Sequence, residues 1–204
     1  GTLGTMALKS RLTSPKHPRR VFSYLLEAAW APDGKHLALS DSWTTVESTI
    51  RLVSLRDRRL RALTGPQRGR SDSSPAWSPD GRTIAFVRRQ APGWVPVILV
   101  AGRHGRGLRR LTRGDSPSWS PDGRRVVFAW GDAIYRVDAG GGQRTRLARD
   151  LPARGANLQP RWSPDGRKIL YTTPRGIWTM NADGTDRVRI VHGPFVNGAG
   201  WRPG

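Results

Sequence analysis

Cysteine is absent from this 204-residue chain, which excludes a disulfide framework, a thiolate metal site and a cysteine nucleophile. Acidic residues are scarce: 15 Asp and Glu face 35 Lys and Arg, for a formal net charge of +20. Lysine is scarce too, with only Lys9, Lys16, Lys35 and Lys168, so the basic excess is almost all arginine. No run of 18 apolar residues occurs, so no helix-length membrane span is written into the chain. The start, Gly1-Thr2-Leu3-Gly4-Thr5-Met6, lacks the charged-then-apolar layout of a signal peptide. There is no Gly-x-Ser-x-Gly and no His-Glu-x-x-His, and His17, His36, His104 and His192 are isolated from one another. These absences predict no catalytic residues, no metal and no cofactor.

What is present is a repeat. Trp162-Ser163-Pro164-Asp165-Gly166 echoes Trp30-Ala31-Pro32-Asp33-Gly34, Trp77-Ser78-Pro79-Asp80-Gly81 and Trp119-Ser120-Pro121-Asp122-Gly123, and Trp201-Arg202-Pro203-Gly204 opens a further copy. The tryptophans lie 47, 42, 43 and 39 residues apart, a period that signals a repeat architecture. Proline presets φ for a turn, aspartate caps it and glycine takes the positive-φ position, so each copy predicts a hairpin. Two further β-rich runs follow each hairpin, such as Val97-Ile98-Leu99-Val100 and then Leu108-Arg109-Arg110-Leu111-Thr112. Four short strands per unit of about 40 residues is the composition of a propeller blade.

The phrase Trp-Ser-Pro-Asp-Gly-Arg-x-Ile-x-Phe, with Asp-x-x-Gly-Gly and Arg-Leu-Thr after it, resembles the TolB-like, WD-related β-propeller repeat over residues 21 to 204. The resemblance implies an all-β fold of four-stranded antiparallel blades, at about 21–65, 71–113, 115–149 and 157–193, with a partial fifth at 198–204. In that family the repeat occurs in periplasmic TolB, in propeller domains of prolyl-oligopeptidase-like and tricorn-like proteases, and in secreted or surface proteins. It therefore implies a bacterial protein of the periplasm or exterior. Residues 1–20 are basic, and within them Leu8-Lys9-Ser10-Arg11-Leu12-Thr13 resembles an outer-strand phrase that would close the ring. Four blades and a fraction fall below the roughly six usual in the family. The array is then a fragment, a small ring, or a ring whose blades are completed by another copy.

Two sets of residues follow. Trp30, Trp77, Trp119, Trp162 and Trp201, with Asp33, Gly34, Asp80, Gly81, Asp122, Gly123, Asp165 and Gly166, are structural: the tryptophans pack between blades and the aspartates cap turns that symmetry keeps apart. Asp138–Gly142 and Asn181–Asp186 look like calcium loops in composition, but lack EF-hand spacing and read as hairpin turns. Gly102-Arg103-His104-Gly105-Arg106-Gly107 joins two strands and opens no helix, so it is no phosphate cradle. The second set lies in loops on the opposite end of the strands from the Pro-Asp-Gly turns: Arg68, Arg70, Arg88, Arg89, Trp94, Arg113, Trp130 and Arg154. Trp43 and Phe195 belong to the same class. Arginines beside an exposed aromatic suit an acidic protein or peptide partner. The expected function is a non-enzymatic binding scaffold, which also self-associates if rings are completed between chains. Three rivals stand beside it: the substrate-filtering propeller of a larger hydrolase, a binder of nucleic acid or another anionic polymer drawn by the +20 charge, and an excised or designed array with no evolved ligand.

Overall fold

The computed structural model describes residues 24–42, 46–149, 158–193 and 200–201, and among these there is no helix. Strands β1 (Tyr24–Trp30), β2 (His36–Ser42), β3 (Ser48–Ser54) and β4 (Leu60–Ala62) pair antiparallel in chain order. The same order recurs in β5 (Arg70–Trp77), β6 (Thr83–Gln90), β7 (Val97–Gly102) and β8 (Arg109–Arg113). It recurs again in β9 (Asp115–Trp119), β10 (Arg125–Trp130), β11 (Ala133–Asp138) and β12 (Thr145–Ala148). A last quartet comprises β13 (Arg161–Trp162), β14 (Lys168–Thr173), β15 (Gly176–Asn181) and β16 (Val188–His192).

The first two quartets are not separate sheets. A parallel pairing of Ser48 with Ser71 joins them into one eight-stranded sheet. The junction is held by hydroxyls: Ser48 Oγ meets Ser71 Oγ at 2.8 Å, and Ser48 and Ser40 donate to the Asp72 carbonyl at 2.8 and 3.1 Å. No periodicity announces this bridge, because it depends on three serines whose partners are 23 to 32 residues away.

Each core lies between quartets. One cluster packs Ala38, Ile50 and Leu52 against Trp77, Ile84 and Phe86. A second packs Val87, Ile98 and Leu111 against Val126, Phe128 and Val137. A third packs Val127, Ile134 and Leu147 against Trp162, Ile169 and Tyr171. A quartet with neighbours on both sides buries both faces of its second strand, and Ile84, Ala85, Phe86 and Val87 are all fully buried. Their apolar run is accordingly continuous rather than alternating. In β2, where only one face is covered, Ala38 and Ser40 are buried while Leu37 and Leu39 are half-exposed, and the alternation returns.

Candidate functional site

The strand pairings sort the loops onto two ends. At one end are the Pro-Asp-Gly turns. Ser78 Oγ donates to Asp80 Oδ1 (2.6 Å) and accepts from the Thr83 N–H (2.9 Å), and Arg82 N–H donates to Asp80 Oδ1 (3.0 Å). The same bonds form around Ser120 and Asp122, and around Ser163 and Asp165. In the first copy Ala31 replaces the serine, and Asp33 instead accepts from the N–H groups of Lys35 and His36 and bonds His36 Nδ1 at 2.7 Å. The serine hydroxyl, followed by the backbone N–H, holds Asp80, Asp122 and Asp165 below the ordinary carboxylate range. For Asp33 the Lys35 N–H is the main cause. Such groups are poor proton donors near neutrality. The glycines tie the turns together: a Cβ on Gly81 would lie 3.3 Å from Pro32, and one on Gly123 3.3 Å from Pro79. Asp183 caps a turn in the same way through Thr185. Among the described residues no group of three or more His, Cys, Asp or Glu is placed to hold a metal ion.

At the opposite end, the loop end, the candidate arginines divide. Asp72 is fully buried and takes a bidentate pair from Arg88, with Nε at 2.7 Å and Nη2 at 2.8 Å. Arg70 stands 3.8 Å from the same carboxylate and bonds Gln67 Oε1 at 2.6 Å and the Gly65 carbonyl. Burial, and then the Arg88 charge, push the Arg70 guanidinium down from its usual value, against the pull of Asp72. Arg89 bonds the Asp115 carboxylate, and Ser73 Oγ at 3.3 Å. Three of the candidate arginines thus already hold internal partners.

Arg68 and Arg113 stand exposed, as does Trp94 at 37%, with Val95 beside it. Backbone hydrogen bonds bring their segments together. Ala91 N–H donates to the Gly69 carbonyl, Gly114 N–H donates to the Pro96 carbonyl, and Arg113 pairs with Val97. Trp94 adopts φ of +51°, a sparsely populated conformation for a non-glycine residue that the surrounding loop must hold in place. Trp130 packs against the second core cluster with Trp119 and Tyr135. Arg154, Trp43 and Phe195 lie outside the described residues.

The first strands of the quartets contact one another in series. Three residues before each motif tryptophan stand Glu27, Ser74, Ser116 and Gln159. The last three have φ of +51°, +52° and +38°, each immediately before a proline. Register shifts mark bulges at Leu25/Glu27 and Ser73/Ala76 and opposite β9. A proline cannot donate to a ladder, so it sits on an edge strand at a bulge. The signal was legible as Ser-Pro-x-Trp, Ser-Pro-x-Trp and Gln-Pro-x-Trp in three copies. Between these strands lies a cavity of about 350 Å³, lined by Ala28, Pro75, Trp77, Pro117, Trp119 and Arg161 among others.

No protein-family profile matches the sequence, and neither does any curated protein. Solved structures do. A protein of Agrobacterium tumefaciens described as a TolB aligns over 85% of this chain and 69% of its own, with 24% identity and a TM-score of 0.69. The nidogen/laminin complex aligns over 81% and 64%, with 19% identity and a TM-score of 0.65. A puromycin-hydrolysing peptidase of Mycobacterium tuberculosis aligns over 83% and 29%, with 16% identity and a TM-score of 0.63. The chain spans well under half of the peptidase's length. The likeness is one of architecture: this chain has the β-propeller fold.

Proposed function

We propose that the chain is a non-enzymatic propeller scaffold that binds an acidic protein or peptide through its loop end. The reading is supported chiefly by Trp94, held exposed in an uncommon backbone conformation beside Val95, in a loop hydrogen-bonded to the segments that carry the exposed Arg68 and Arg113. A rigid aromatic anchor between cations suits an apolar side chain followed or preceded by carboxylates. The partnered Arg70, Arg88 and Arg89 shape the platform and are not the ligand's donors. Display selection of random peptides on the immobilised protein tests this. The selected peptides should be rich in Asp and Glu around an apolar residue, and should be lost with Trp94→Ala or with Arg68→Glu/Arg113→Glu. Peptides indifferent to all three substitutions would overturn the assignment.

The array is also read as part of a ring. Trp30 is 61% exposed where Trp77 and Trp162 are each 8%, and Ile190 at 51% occupies the position that Leu111 and Leu147 fill at 7% and 5%. Trp201 Nε1 donates to the Arg161 carbonyl at 3.1 Å, as Trp119 Nε1 does to the Ala76 carbonyl. Further blades, from the same polypeptide or a second copy, would cover these faces. The Mycobacterium peptidase keeps a second reading open, in which the propeller serves a larger hydrolase. A catalytic domain encoded on the same polypeptide would decide for it.

A further inference from the structure

Independently of the loop end, the cavity between the first strands has the makings of a ligand site. Its volume of about 350 Å³ falls within the range of small-molecule pockets. All four quartets contribute to its wall: Ala28 and Ala29, then Pro75 and Trp77, then Pro117 and Trp119, then Arg161. Among the described residues its side chains are mostly apolar, with Ser118, Ser120 and the indole N–H groups as neutral polar exceptions, and Arg161 is the one charged side chain lining it.

Arg161 is half-buried and sparsely bonded. Its single hydrogen bond among the described residues runs from Nη1 to the Pro117 carbonyl at 3.4 Å, longer than a good bond of this type. A guanidinium carries five donors, so most of those on Arg161 stand available to a ligand. Burial pushes this guanidinium down from its usual value, and the negative charge of Glu27 opposes the shift. Yet no ion pair within 4.0 Å joins the two among the described residues, and Glu27 Oε2 is itself buried without a hydrogen-bond partner. The two charges influence one another without forming an ion pair.

We propose that this cavity binds a small organic carboxylate with a flat apolar body, the carboxylate taken by Arg161 and the body lying against the proline and tryptophan walls. A carboxylate fits the planar fork of the guanidinium bidentately, and the walls supply apolar contact on which a ring stacks. Glu27 acts in the opposite sense: its charge competes with the ligand for Arg161, favouring weak, exchangeable binding.

The test is titration of the full chain with 2-naphthoate, and with 2-naphthamide as the uncharged counterpart, followed by calorimetry and by quenching of Trp77 and Trp119 fluorescence. The acid should bind saturably and the amide about tenfold more weakly or worse, the effect of one charge-assisted pair. Arg161→Gln should lose about tenfold in affinity for the acid with the amide unaffected. Glu27→Gln should gain about threefold or more, since a repelling charge is removed. If Arg161→Gln does not fold by circular dichroism, Glu27→Gln against wild type decides. Equal binding of acid and amide, no binding of either, an unchanged Arg161→Gln, or weaker binding by Glu27→Gln would each overturn the proposal.

Discussion

At the scale of single residues, the turn serines act on the aspartates two positions later. Removing the hydroxyl in Ser78→Ala or Ser120→Ala should raise the pKa of Asp80 or Asp122 toward the ordinary carboxylate value, read by NMR titration of the side-chain carboxyl. Because these pKa values are depressed in the folded chain, the stabilisation is present above the unfolded value. It is lost as pH falls through the folded one. The variant should therefore show less change in stability across that acid window than the parent. Asp72 presents a larger effect. It is fully buried with Arg88 in bidentate contact and Arg70 nearby. Asp72→Ala, which strands two guanidiniums, should cost about 3–5 kcal/mol in urea unfolding. A loss below about 1 kcal/mol would mean that the arginines find water instead. These ion pairs were not legible in the sequence, because Arg88 and Arg89 lie 16 and 26 residues from their acids and only sheet pairing brings them together. The sequence marked loop arginines; it could not say which were already partnered.

At the scale of the elements, hairpins were legible because Ser-Pro-Asp-Gly states a turn by residue chemistry, and the tryptophan period states where each begins. Burial on both faces of β6 and β10 was less so, since a short apolar run carries no mark of how many neighbours cover it. The contrast between covered and uncovered strands is measurable. Phe128→Ala, in the cluster between the second and third quartets, should cost about 3–5 kcal/mol. Leu37→Ala on the half-exposed face of β2 should cost clearly less, by the same denaturant midpoints. Backbone contact between quartets has its own test at Gly184. Its φ is +94°, and a Cβ there would fall 2.4 Å from the Leu147 carbonyl of the preceding quartet. Gly184→Ala should lose at least about 1–3 kcal/mol from the backbone conformation alone, with added cost from the displaced neighbour.

At the scale of the whole molecule, four arginines join one quartet to the next. Arg61 donates to the Arg103 carbonyl, Arg109 to the Ala139 and Gly140 carbonyls, Arg136 to the Ala182 carbonyl and Arg187 to the Leu147 carbonyl. A long side chain with several fixed donors suits this reach better than lysine does. The +20 charge is thus in part a by-product of how the stack is held. The same stacking leaves the surface around Trp30 and the surface around Ile190 exposed, each bearing the residue types that other quartets bury against a neighbour.

The most direct measurement is the solution mass by light scattering, at low and high salt, of the chain and of Trp30→Glu. With a second copy supplying the missing blades, the parent should run as a species heavier than the 22.6 kDa chain that persists in high salt, as apolar stacking should, and that Trp30→Glu returns to a monomer. A monodisperse 22.6 kDa species in the parent chain, unchanged by Trp30→Glu, would contradict completion by a second copy and leave only blades of the same polypeptide to cover these faces.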